Sequence, residues 1–568
     1  MVSTSDPGSA TKKLIASTAS GTTLLILVQV ASRAFTFTAN QLVLRKLSPT
    51  LLGISNRLEL YSTSIVYFSR ESIRNAIQRQ PLEASGVDIQ GQKGEDKAPG
   101  IDEKKAFSSA TQSVINISYL SIVLGVPLSL LATKFYTHFV LAEILHEHST
   151  KSSLFITGIG SLIELSAEPF FAVIQQHGLY KTRALVETVA AFTKSFSICG
   201  IVMWSSWAGY DVGVIPFAAG YLGYSLAIIC GYSITMLGIA TERRFSFLPS
   251  KIKSDSDPRK FIAGLFSRRL LLLAASVFMQ ATAKHLLTQG DSIILAAMAS
   301  LEDEGIYALA ANYGSLIARI VFQPIEESSR NLFASLLTRG ENDTDDPACI
   351  QAAKDHLAGI LQAYGLVSII VFPLGPIFVT IVLNTLVGRQ WALSNTSGLF
   401  SLYSCYIPFL AVNGITEAFV SAASSPSELR RHASRMAVFS ACFALAAFVF
   451  LKLLGLGSPG LILANIVNMA VRIIWSSSFI RSYFHRKKND LAFAQVSQST
   501  YTYTAATIAT SVMVARRKYF TENLHGYVEA LALGVIYVLV ILCFEKQYLM
   551  EQYNRTRQTI KLMRDKTQ

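Results

Sequence analysis

The sequence predicts an all-α polytopic membrane protein with about fourteen transmembrane helices, arranged as two parallel-repeat lobes of six helices and two C-terminal helices. Three observations support this fold class. The 568-residue chain is 51% hydrophobic and only 15% charged, with a mean hydropathy of +0.39. Its apolar runs are long enough to cross a bilayer, and polar motifs recur in its two halves. Soluble domains contain about 25% charged residues, so a large soluble enzyme is disfavoured.

Each predicted span is an apolar run of about 20 residues or more, the length that a helix needs to cross the hydrocarbon core. Several runs exceed one crossing, so we expect their ends to project into water. The thirteenth run is the least apolar, because it begins with Ser, Thr and Tyr residues. In chain order the predicted spans are 17–44, 51–79, 110–133, 152–176, 180–206, 214–239, 265–300, 305–338, 356–386, 394–423, 430–455, 459–484, 499–515 and 526–550.

The distribution of Lys and Arg predicts the orientation of the chain. The side that holds both termini collects roughly 22 of these residues and the opposite side about 8, so the positive-inside rule places both termini in the cytosol. The polar linkers 80–109, 240–262 and 485–497 then lie in the cytosol. The first linker is rich in glycine and charge, which predicts disorder. A cleaved signal peptide at 12–34 is the alternative interpretation of the first span.

Composition and motifs argue against several functional classes. The net charge of +13 fits basic cytosolic loops. The sequence contains no basic module rich in aromatic residues of the kind that binds nucleic acid. The six cysteines have no short spacing, which predicts neither a disulfide framework nor a metal site. No P-loop motif for ATP occurs, and the loops on the non-cytosolic side are too short for an enzyme domain on that side. We therefore expect a protein that is not an enzyme and uses no cofactor, metal or nucleic acid.

Polar residues that recur in the same order indicate an internal duplication. The segment Glu71–Asn75 returns as Glu327–Asn331, 256 residues later, and Asn56 matches Asn312 at the same offset. The residues matched between spans 1 and 7, at an offset of 251, are Gln29, Arg33 and Asn40 with Gln280, Lys284 and Asp291. Each triplet has the spacing i, i+4, i+11, which places its members on one face of a helix.

The duplication predicts how the chain is divided. The copies begin at spans 1 and 7, so an even number of crossings separates them and both run in the same direction. Such a parallel repeat has its axis along the membrane normal, with a binding site expected between the halves. The predicted parts are an N-lobe at 1–240, a cytosolic linker at 241–264, a C-lobe at 265–485, and two further helices with a cytosolic tail at 486–568.

Three cations within the spans are candidates for ligand binding. Arg33, Arg57 and Lys284 have no opposite charge three or four residues away. A buried cation of this kind needs an anion from another helix or from a ligand. A phosphate or diphosphate fits, because a guanidinium group can hold it with two hydrogen bonds.

The alternative is pairing of these cations with acids on other helices. The available acids are Glu164, Glu168 and Glu417. Other charges are spaced as pairs within one helix, which predicts structural or gating ion pairs at helix ends. These residues are Arg70, Glu71 and Arg74 in span 2, and Glu326, Glu327 and Arg330 in span 8.

Two stretches of the chain, 24–79 and 282–331, carry motifs of a known family. They include Ser32-Arg33-Ala34-Phe35, Asn40-Gln41, Ser48-Pro49, Phe68-Ser69-Arg70-Glu71-Ser72, Gly290-Asp291 and Pro324-Ile325-Glu326-Glu327-Ser328. In these segments the chain resembles the Rft family of endoplasmic-reticulum oligosaccharide translocation proteins.

The resemblance implies the fold of the multidrug/oligosaccharidyl-lipid/polysaccharide flippases, with a central cavity between the lobes. It implies a dolichol-diphosphate oligosaccharide, Man5GlcNAc2-PP-dolichol, as the substrate that moves from the cytosolic to the lumenal leaflet. Related bacterial flippases hold a diphosphate with arginines of span 1, and Arg33 occupies a comparable position. Arg33, Arg57 and Lys284 would then bind the diphosphate. The polar residues expected to contact the sugars are Gln29, Asn40, Asn56, Asn312 and Tyr313.

Other functions remain open from the sequence. A glycolipid-binding chaperone of the same pathway would use the same cavity without flipping its ligand. An ion-coupled antiporter of small molecules would need an essential buried acid. A glycosyltransferase built from membrane helices would turn over a nucleotide sugar. No energy source is visible, so lipid transport would be downhill, driven by consumption of the lipid in the lumen.

Overall fold

The protein is an all-α polytopic membrane protein, as the sequence predicts. The computed structural model describes residues 38–39, 41–78, 101–140, 148–176, 179–243, 246–252, 261–337, 347–386, 391, 396–424, 426–491, 495–522, 524–551 and 554. These residues are almost entirely helical, and their one sheet is a two-stranded antiparallel hairpin.

The helices follow the predicted spans closely. In the first part of the chain they are α1 (Pro49–Gln78), α2 (Ile101–Phe135), α3 (His148–Ser166), α4 (Glu168–Gln176), α5 (Tyr180–Ala208), α6 (Ile215–Arg243) and α7 (Arg268–Thr288), with strands β1 (Phe261–Ile262) and β2 (Phe266–Ser267) before α7. In the second part they are α8 (Gly290–Met298), α9 (Leu301–Ile317), α10 (Gln323–Leu337), α11 (Pro347–Leu386), α12 (Thr396–Ala423), α13 (Pro426–Phe448), α14 (Ser458–Arg486), α15 (Thr500–Ala515), α16 (Arg517–Glu522) and α17 (Leu524–Phe544). Single π-helical turns occupy Tyr136–Val140, Ala318–Phe322 and Val449–Leu453.

Nine helices of the described chain are long and apolar enough to cross a bilayer. The predicted spans that do not meet this criterion are the charged α1, the interrupted spans 265–300 and 305–338, and α15, which has 16 residues. The first predicted span, 17–44, lies largely outside the described residues. The count of about fourteen therefore stays a prediction.

Several predicted spans are not simple straight helices. The span at 152–176 is broken at Ala167 between α3 and α4, and the span at 265–300 is broken at Gln289 between α7 and α8. In α11, Pro373 has no N–H, so the Ile369 carbonyl loses its helical donor. The Tyr537 hydroxyl of α17 donates to this carbonyl at 2.8 Å. A side chain of another helix thus satisfies the polar group that the proline exposes.

Packing divides the chain into two compact units. The first comprises residues 54–289 with the described residues up to Leu47, and the second comprises 48–53 with 290–568. The predicted lobes at 1–240 and 265–485 stay predictions, and the division by packing falls after α7. The physical reason is that Leu270 and Ala274 of α7 pack with α1, α2 and α4 of the first unit.

Each unit has its own buried core. In the first unit, Phe171 of α4 and Tyr232 of α6 belong to a cluster that also includes residues of α2 and α5. In the second unit, Phe333 of α10 and Phe419 of α12 belong to a cluster that also includes residues of α11 and α14. Aromatic side chains supply much of the buried area in both cores.

The segment that joins α6 to α7 is docked rather than free. The Asn116 side-chain amide of α2 donates to the carbonyls of Ser250 and Leu265, both at 2.8 Å, and its oxygen accepts from the Ser250 N–H at 3.1 Å. The predicted linker at 241–264 is therefore held against α2 where it is described. The predicted linker at 80–109 is partly helical, because α2 begins at Ile101 and includes the last residues of this linker.

Candidate functional site

The predicted ligand cations are only partly visible. Arg57 lies in α1, is 6% exposed, and has an interaction with another group. Arg33 lies outside the described residues, and so does the side chain of Lys284, whose backbone belongs to α7. The prediction that these three cations share one anion therefore stays a prediction.

The predicted sugar-contacting residues also divide into two sets. Asn56 precedes Arg57 in α1 and is half-buried. In α9, Asn312 is exposed and Tyr313 is half-buried, with its ring 6.0 Å from the Phe400 ring of α12. The remaining two, Gln29 and Asn40, lie outside the described residues.

The strongest polar feature of the first unit is a buried ion network between α1 and the α3–α4 corner. The Arg70 guanidinium donates to Glu164 at 2.7 Å and to Glu168 at 3.1 Å. The Arg74 guanidinium donates to both Glu168 oxygens, at 2.6 and 2.8 Å. Two arginines and two glutamates thus cancel in charge, which lowers the cost of burying each of them.

Aromatic groups complete this network. The Tyr221 hydroxyl of α6 donates to the second Glu164 oxygen at 2.7 Å. The Arg74 guanidinium lies 3.6 Å from the centre of the Phe171 ring, and the Arg183 guanidinium of α5 lies 5.0 Å from it. Such cation–π contacts strengthen in a desolvated site. The network therefore ties α1, α3, α4 and α6 together through side chains that the sequence did not associate.

The structure corrects the predicted partners of Arg70 and Arg74. The sequence spacing predicted ion pairs within one helix, but both arginines reach across to Glu164 and Glu168. Glu71 accepts a hydrogen bond from Asn75 at 3.4 Å and has a further interaction as well. The arginines do form structural ion pairs, and the reason for the changed partners is that α1 packs against the α3–α4 corner.

The second unit has an ion pair between helices of its own, and both of its side chains are more than a fifth exposed. Glu417 of α12 pairs with Arg472 of α14 at 2.5 Å, and the Asn413 amide donates to the same Glu417 oxygen at 3.3 Å. Asn413 is almost fully buried. This pair joins α12 to α14 much as the first network joins α1 to α3 and α4.

The predicted ion pairs of Glu326, Glu327 and Arg330 are also corrected. Among the described residues, no oxygen of either glutamate lies within 4.0 Å of Arg330, whose side chain is exposed. Glu327 accepts from Gln323 at 3.0 Å. Glu326 packs against α12, where a Cβ on Gly414 would fall 1.7 Å from its carboxylate oxygen. Helical spacing places these charges close together along α10, but Glu326 contacts α12 and Glu327 contacts Gln323 rather than Arg330.

The acids that the sequence offered as alternative partners for the ligand cations are all engaged elsewhere. Glu164 and Glu168 pair with arginines of α1, and Glu417 pairs with Arg472. These three acids would therefore have to leave their present partners in order to pair with a ligand cation. Among the described residues, no group of three or more His, Cys, Asp or Glu could hold a metal ion.

A buried histidine beside Lys284 was not predicted. His285 of α7 lies 3.2 Å from the Ser64 hydroxyl, and its ring is stacked on Tyr67 with centroids 4.4 Å apart. Phe68 contacts the same ring edge-on at 4.8 Å. A polar-aromatic cluster of α1 thus holds α7 next to a predicted ligand cation. Its members have no shared spacing in the sequence, so no pattern could have found them.

Comparison with known proteins identifies what this architecture is similar to. The family described as Rft protein, Rft-1, matches residues 17–555. The Man(5)GlcNAc(2)-PP-dolichol translocation protein RFT1 of Yarrowia lipolytica is 33% identical over 503 residues, which covers 84% of this chain and 72% of the relative. The protein of the same name from Mus musculus is 27% identical and covers 94% of this chain and 97% of the relative.

Solved structures agree on the fold. The lipid II flippase MurJ, in an inward closed conformation, has a TM-score of 0.55 at 14% identity and covers 93% of this chain and 99% of that chain. An inward-facing multidrug resistance MATE family transporter of the MOP superfamily has a TM-score of 0.54 at 11% identity, with coverage of 79% of this chain and 95% of that chain. The fold that the resemblance implied is thus confirmed, and the chain belongs to the Rft protein family.

Proposed function

We propose that this protein moves Man5GlcNAc2-PP-dolichol from the cytosolic to the lumenal leaflet of the endoplasmic-reticulum membrane, for protein N-glycosylation. The observation that carries the proposal is the Rft family match over residues 17–555, with relatives named for translocation of this glycolipid. A fold shared with a lipid flippase is consistent with it. In this proposal the protein binds and moves its substrate without changing it chemically.

The proposed diphosphate site consists of Arg33, Arg57 and Lys284. Burial of Arg57 in α1 supports the site, since a buried guanidinium is held where phosphate contacts are least screened. Engagement of Glu164, Glu168 and Glu417 by other arginines supports it as well, because it reduces the anions available within the protein. The polar residues Gln29, Asn40, Asn56, Asn312 and Tyr313 would contact the sugars, while the prenyl chain stays in lipid.

The proposed topology follows from the charge distribution. Both termini lie in the cytosol, and the lobes extend over 1–240 and 265–485, joined by 241–264 and followed by the helices and tail of 486–568. Asn342 and Asn554, each in an Asn-x-Thr triplet, are cytosolic in this orientation and should carry no glycan. A glycan on either residue, detected by a glycosidase-sensitive shift in mass, would contradict the orientation.

Replacement of Arg33 tests the proposed site. If Arg33 binds diphosphate, Arg33→Ala should keep normal protein levels but fail to support N-glycosylation in cells that lack the native protein. Arg33→Lys should rescue only in part, because an ammonium group cannot make the two-pronged contact. If Arg33 instead pairs with a buried carboxylate, its removal should cost about 3–5 kcal/mol and the protein should disappear. Normal abundance with normal glycosylation would contradict both roles.

Transport itself needs a separate measurement, because a glycolipid-binding chaperone would use the same site. Purified protein in liposomes that contain a fluorescent dolichol-diphosphate oligosaccharide should accelerate exchange of the lipid between leaflets. Arg33→Ala should abolish this acceleration, whereas Glu59→Ala, which changes an exposed charge, should not. Binding without exchange would support the chaperone and overturn the flipping step.

A further inference from the structure

The last turns of α14 carry an outward ridge that changes from apolar to basic. Its members are Ile474, Ser478, Arg481 and His485, all of them exposed, and Ile474 is 69% exposed. Their spacing of i, i+4, i+7 and i+11 places them on one face of the helix. Because α14 is long and apolar enough to cross a bilayer, the apolar part of this exposed face lies against lipid. We name these four residues the α14 ridge.

Arg481 is the central charge of the α14 ridge. It lies seven residues after Ile474, a rise of about 10 Å along the helix. In the part of the chain that the structure describes, no carboxylate oxygen lies within 4.0 Å of its guanidinium group. Arg486, by contrast, pairs with Glu428 of α13 at 3.4 Å. The ridge therefore presents one exposed guanidinium group that the chain itself does not neutralise.

The neighbouring helix locates the membrane surface at this end of α14. The apolar span of α13 begins at Arg435, whose guanidinium group lies 5.0 Å from the centre of the Trp475 ring. Tryptophan is enriched where the hydrocarbon core gives way to lipid headgroups. Arg481 lies six residues beyond Trp475, a rise of about 9 Å toward the helix end, so it reaches the layer of the headgroups.

A second cation follows where α14 ends. The Lys488 N–H donates to the His485 carbonyl, and the Asn489 N–H donates to the Phe484 carbonyl, both at 3.0 Å. These two bonds form a Schellman motif, in which the residue at the position of Lys488 is left-handed and is usually glycine. Lys488 has a φ of 54°, a conformation that is strained for any residue with a side chain. Its side chain is exposed, and no carboxylate of the described chain lies within 4.0 Å of it.

The turn that holds Lys488 is fastened to α11. The ammonium group of Lys354, a residue that is 6% exposed, donates to the Asn489 side-chain oxygen and to the Asp490 carbonyl, both at 2.8 Å. The Asn489 side-chain N–H donates in turn to the Gln351 oxygen at 2.8 Å. These bonds fix the backbone that follows Lys488, so its strained conformation is held from outside the helix.

We propose that the α14 ridge and Lys488 bind the headgroup of an anionic phospholipid, with an acyl chain along Ile474. Arg481 holds the phosphate with two hydrogen bonds, and Lys488 selects for net negative charge. Phosphatidylcholine carries the same phosphate, but its trimethylammonium group is repelled by Lys488. A strained lysine in a position where glycine would relax the turn supports a role for its charge. The partner is a lipid because the ridge continues into the apolar span, and the inference does not depend on glycolipid transport.

Quenching by brominated lipids measures this preference directly. In a chain whose six cysteines are replaced by serine, a fluorophore is attached at Ile474→Cys, and the vesicles contain dibrominated phosphatidylserine or dibrominated phosphatidylcholine. The phosphatidylserine should associate at least about fivefold more tightly, since each basic residue near a membrane surface contributes about this factor. A control fluorophore at Leu531→Cys should show no preference, because this position is 56% exposed and has no Lys or Arg within ten residues in the sequence.

Two variants separate lipid binding from folding. Arg481→Gln should lower the preference for phosphatidylserine by about fivefold. Lys488→Gly should lower it as well, yet raise the apparent Tm in detergent, because glycine relieves the left-handed strain. The matched control is Arg516→Gln, which removes an exposed arginine that pairs with Glu529 at the end of α15. It should leave the preference unchanged, and added salt should weaken the preference of the native ridge.

The outcomes separate this inference from the proposed function. Equal association of the two lipids at position 474 would overturn the lipid site. A preference that survives both Arg481→Gln and Lys488→Gly would overturn the assignment of these residues. A fall of the apparent Tm in Lys488→Gly, together with lost preference, would assign Lys488 to the packing of the turn. If the preference behaves as expected but the liposome assay detects no exchange of the glycolipid, the lipid site stands and the proposed function fails.

Discussion

The buried charges of the two units differ at positions that the duplication relates. In the first unit, Arg70 of α1 donates to two glutamates in a network of four charges. The residue 256 positions later is Glu326, of opposite sign, and it packs against the Gly414 backbone. The second unit neutralises Glu417 with Arg472, which comes from a different helix of the repeat.

This difference shows that both copies kept a cation for a glutamate inside the packed helices, but not the same pair of residues. Each unit places a glutamate within a packed helix, at Glu164 in α3 and at Glu417 in α12, and each provides an arginine for it. A buried carboxylate without a partner is costly, so any neighbouring helix that can supply a cation satisfies the requirement. After duplication, the second unit met it from α14 while the first met it from α1.

The largest expected effect is in the first unit. Glu168→Ala removes a carboxylate that is 3% exposed and that accepts hydrogen bonds from both Arg70 and Arg74. Two guanidinium groups would lose their shared anion, at a cost of about 3–5 kcal/mol. The protein level in cells and the apparent Tm in detergent should both fall steeply.

The matched control for this variant is Glu59→Ala. Glu59 pairs with Lys194 at 3.5 Å, but its side chain is 65% exposed. Exposed pairs contribute about 0–1 kcal/mol, so the apparent Tm should barely change. An equal fall of the apparent Tm in Glu168→Ala and Glu59→Ala would refute the view that burial is what makes the network stabilise the protein.

A smaller loss is expected in the second unit. Glu417→Ala removes one carboxylate whose side chain is 29% exposed and leaves one arginine, Arg472, rather than two. The cost should be about 1.5–3 kcal/mol, the range for a hydrogen bond to a charged group. The apparent Tm should therefore fall less than in Glu168→Ala. A larger fall than in Glu168→Ala would reverse the proposed order of the two units.

The smallest effects are expected at two helix starts that the duplication relates, both of them in the second unit. Ser48→Ala and Ser300→Ala each remove a helix N-cap at repeat-related positions. Each should lower stability by about 0.5–2 kcal/mol. Ser300→Ala should cost slightly more, because the Ser300 hydroxyl also donates to the Asp303 carboxylate at 2.7 Å. Thermal unfolding of both variants side by side measures this difference, and a clear loss in only one of them would argue against equivalent helix starts.

The sequence detected the duplication but not the change of offset between two parts of it. The polar motifs gave an offset of 256 from Asn56 onward, whereas the close approaches of Gly53 to Leu301 and of Gly305 to Pro49, like the N-caps, have an offset of 252. The second copy therefore contains four additional residues between Gly305 and Asn312. Four residues rotate a helix by about 400°, so the polar face is displaced by only about 40°. A search at one fixed offset finds either set but not both.

By itself, the sequence determined the fold class, the family, most helix bounds and the existence of charges within the spans. These properties depend on local composition and on spacing along one helix, which the sequence contains directly. Arg70 and Arg74 were identified as members of ion pairs because opposite charges recur at three or four residues, although the same spacing also predicted a pair for Glu326 that the structure does not form.

Only the tertiary structure decided which partner each charge has. Arg70 and Arg74 could pair within α1 or across to another helix, and the choice fell to Glu164 and Glu168 because the α3–α4 corner packs against α1. The same holds for Asn116 on the docked linker and for His285 against Tyr67. An interhelical contact depends on the rotation and crossing angle of two helices, and residues about 100 positions apart carry no spacing that encodes either quantity.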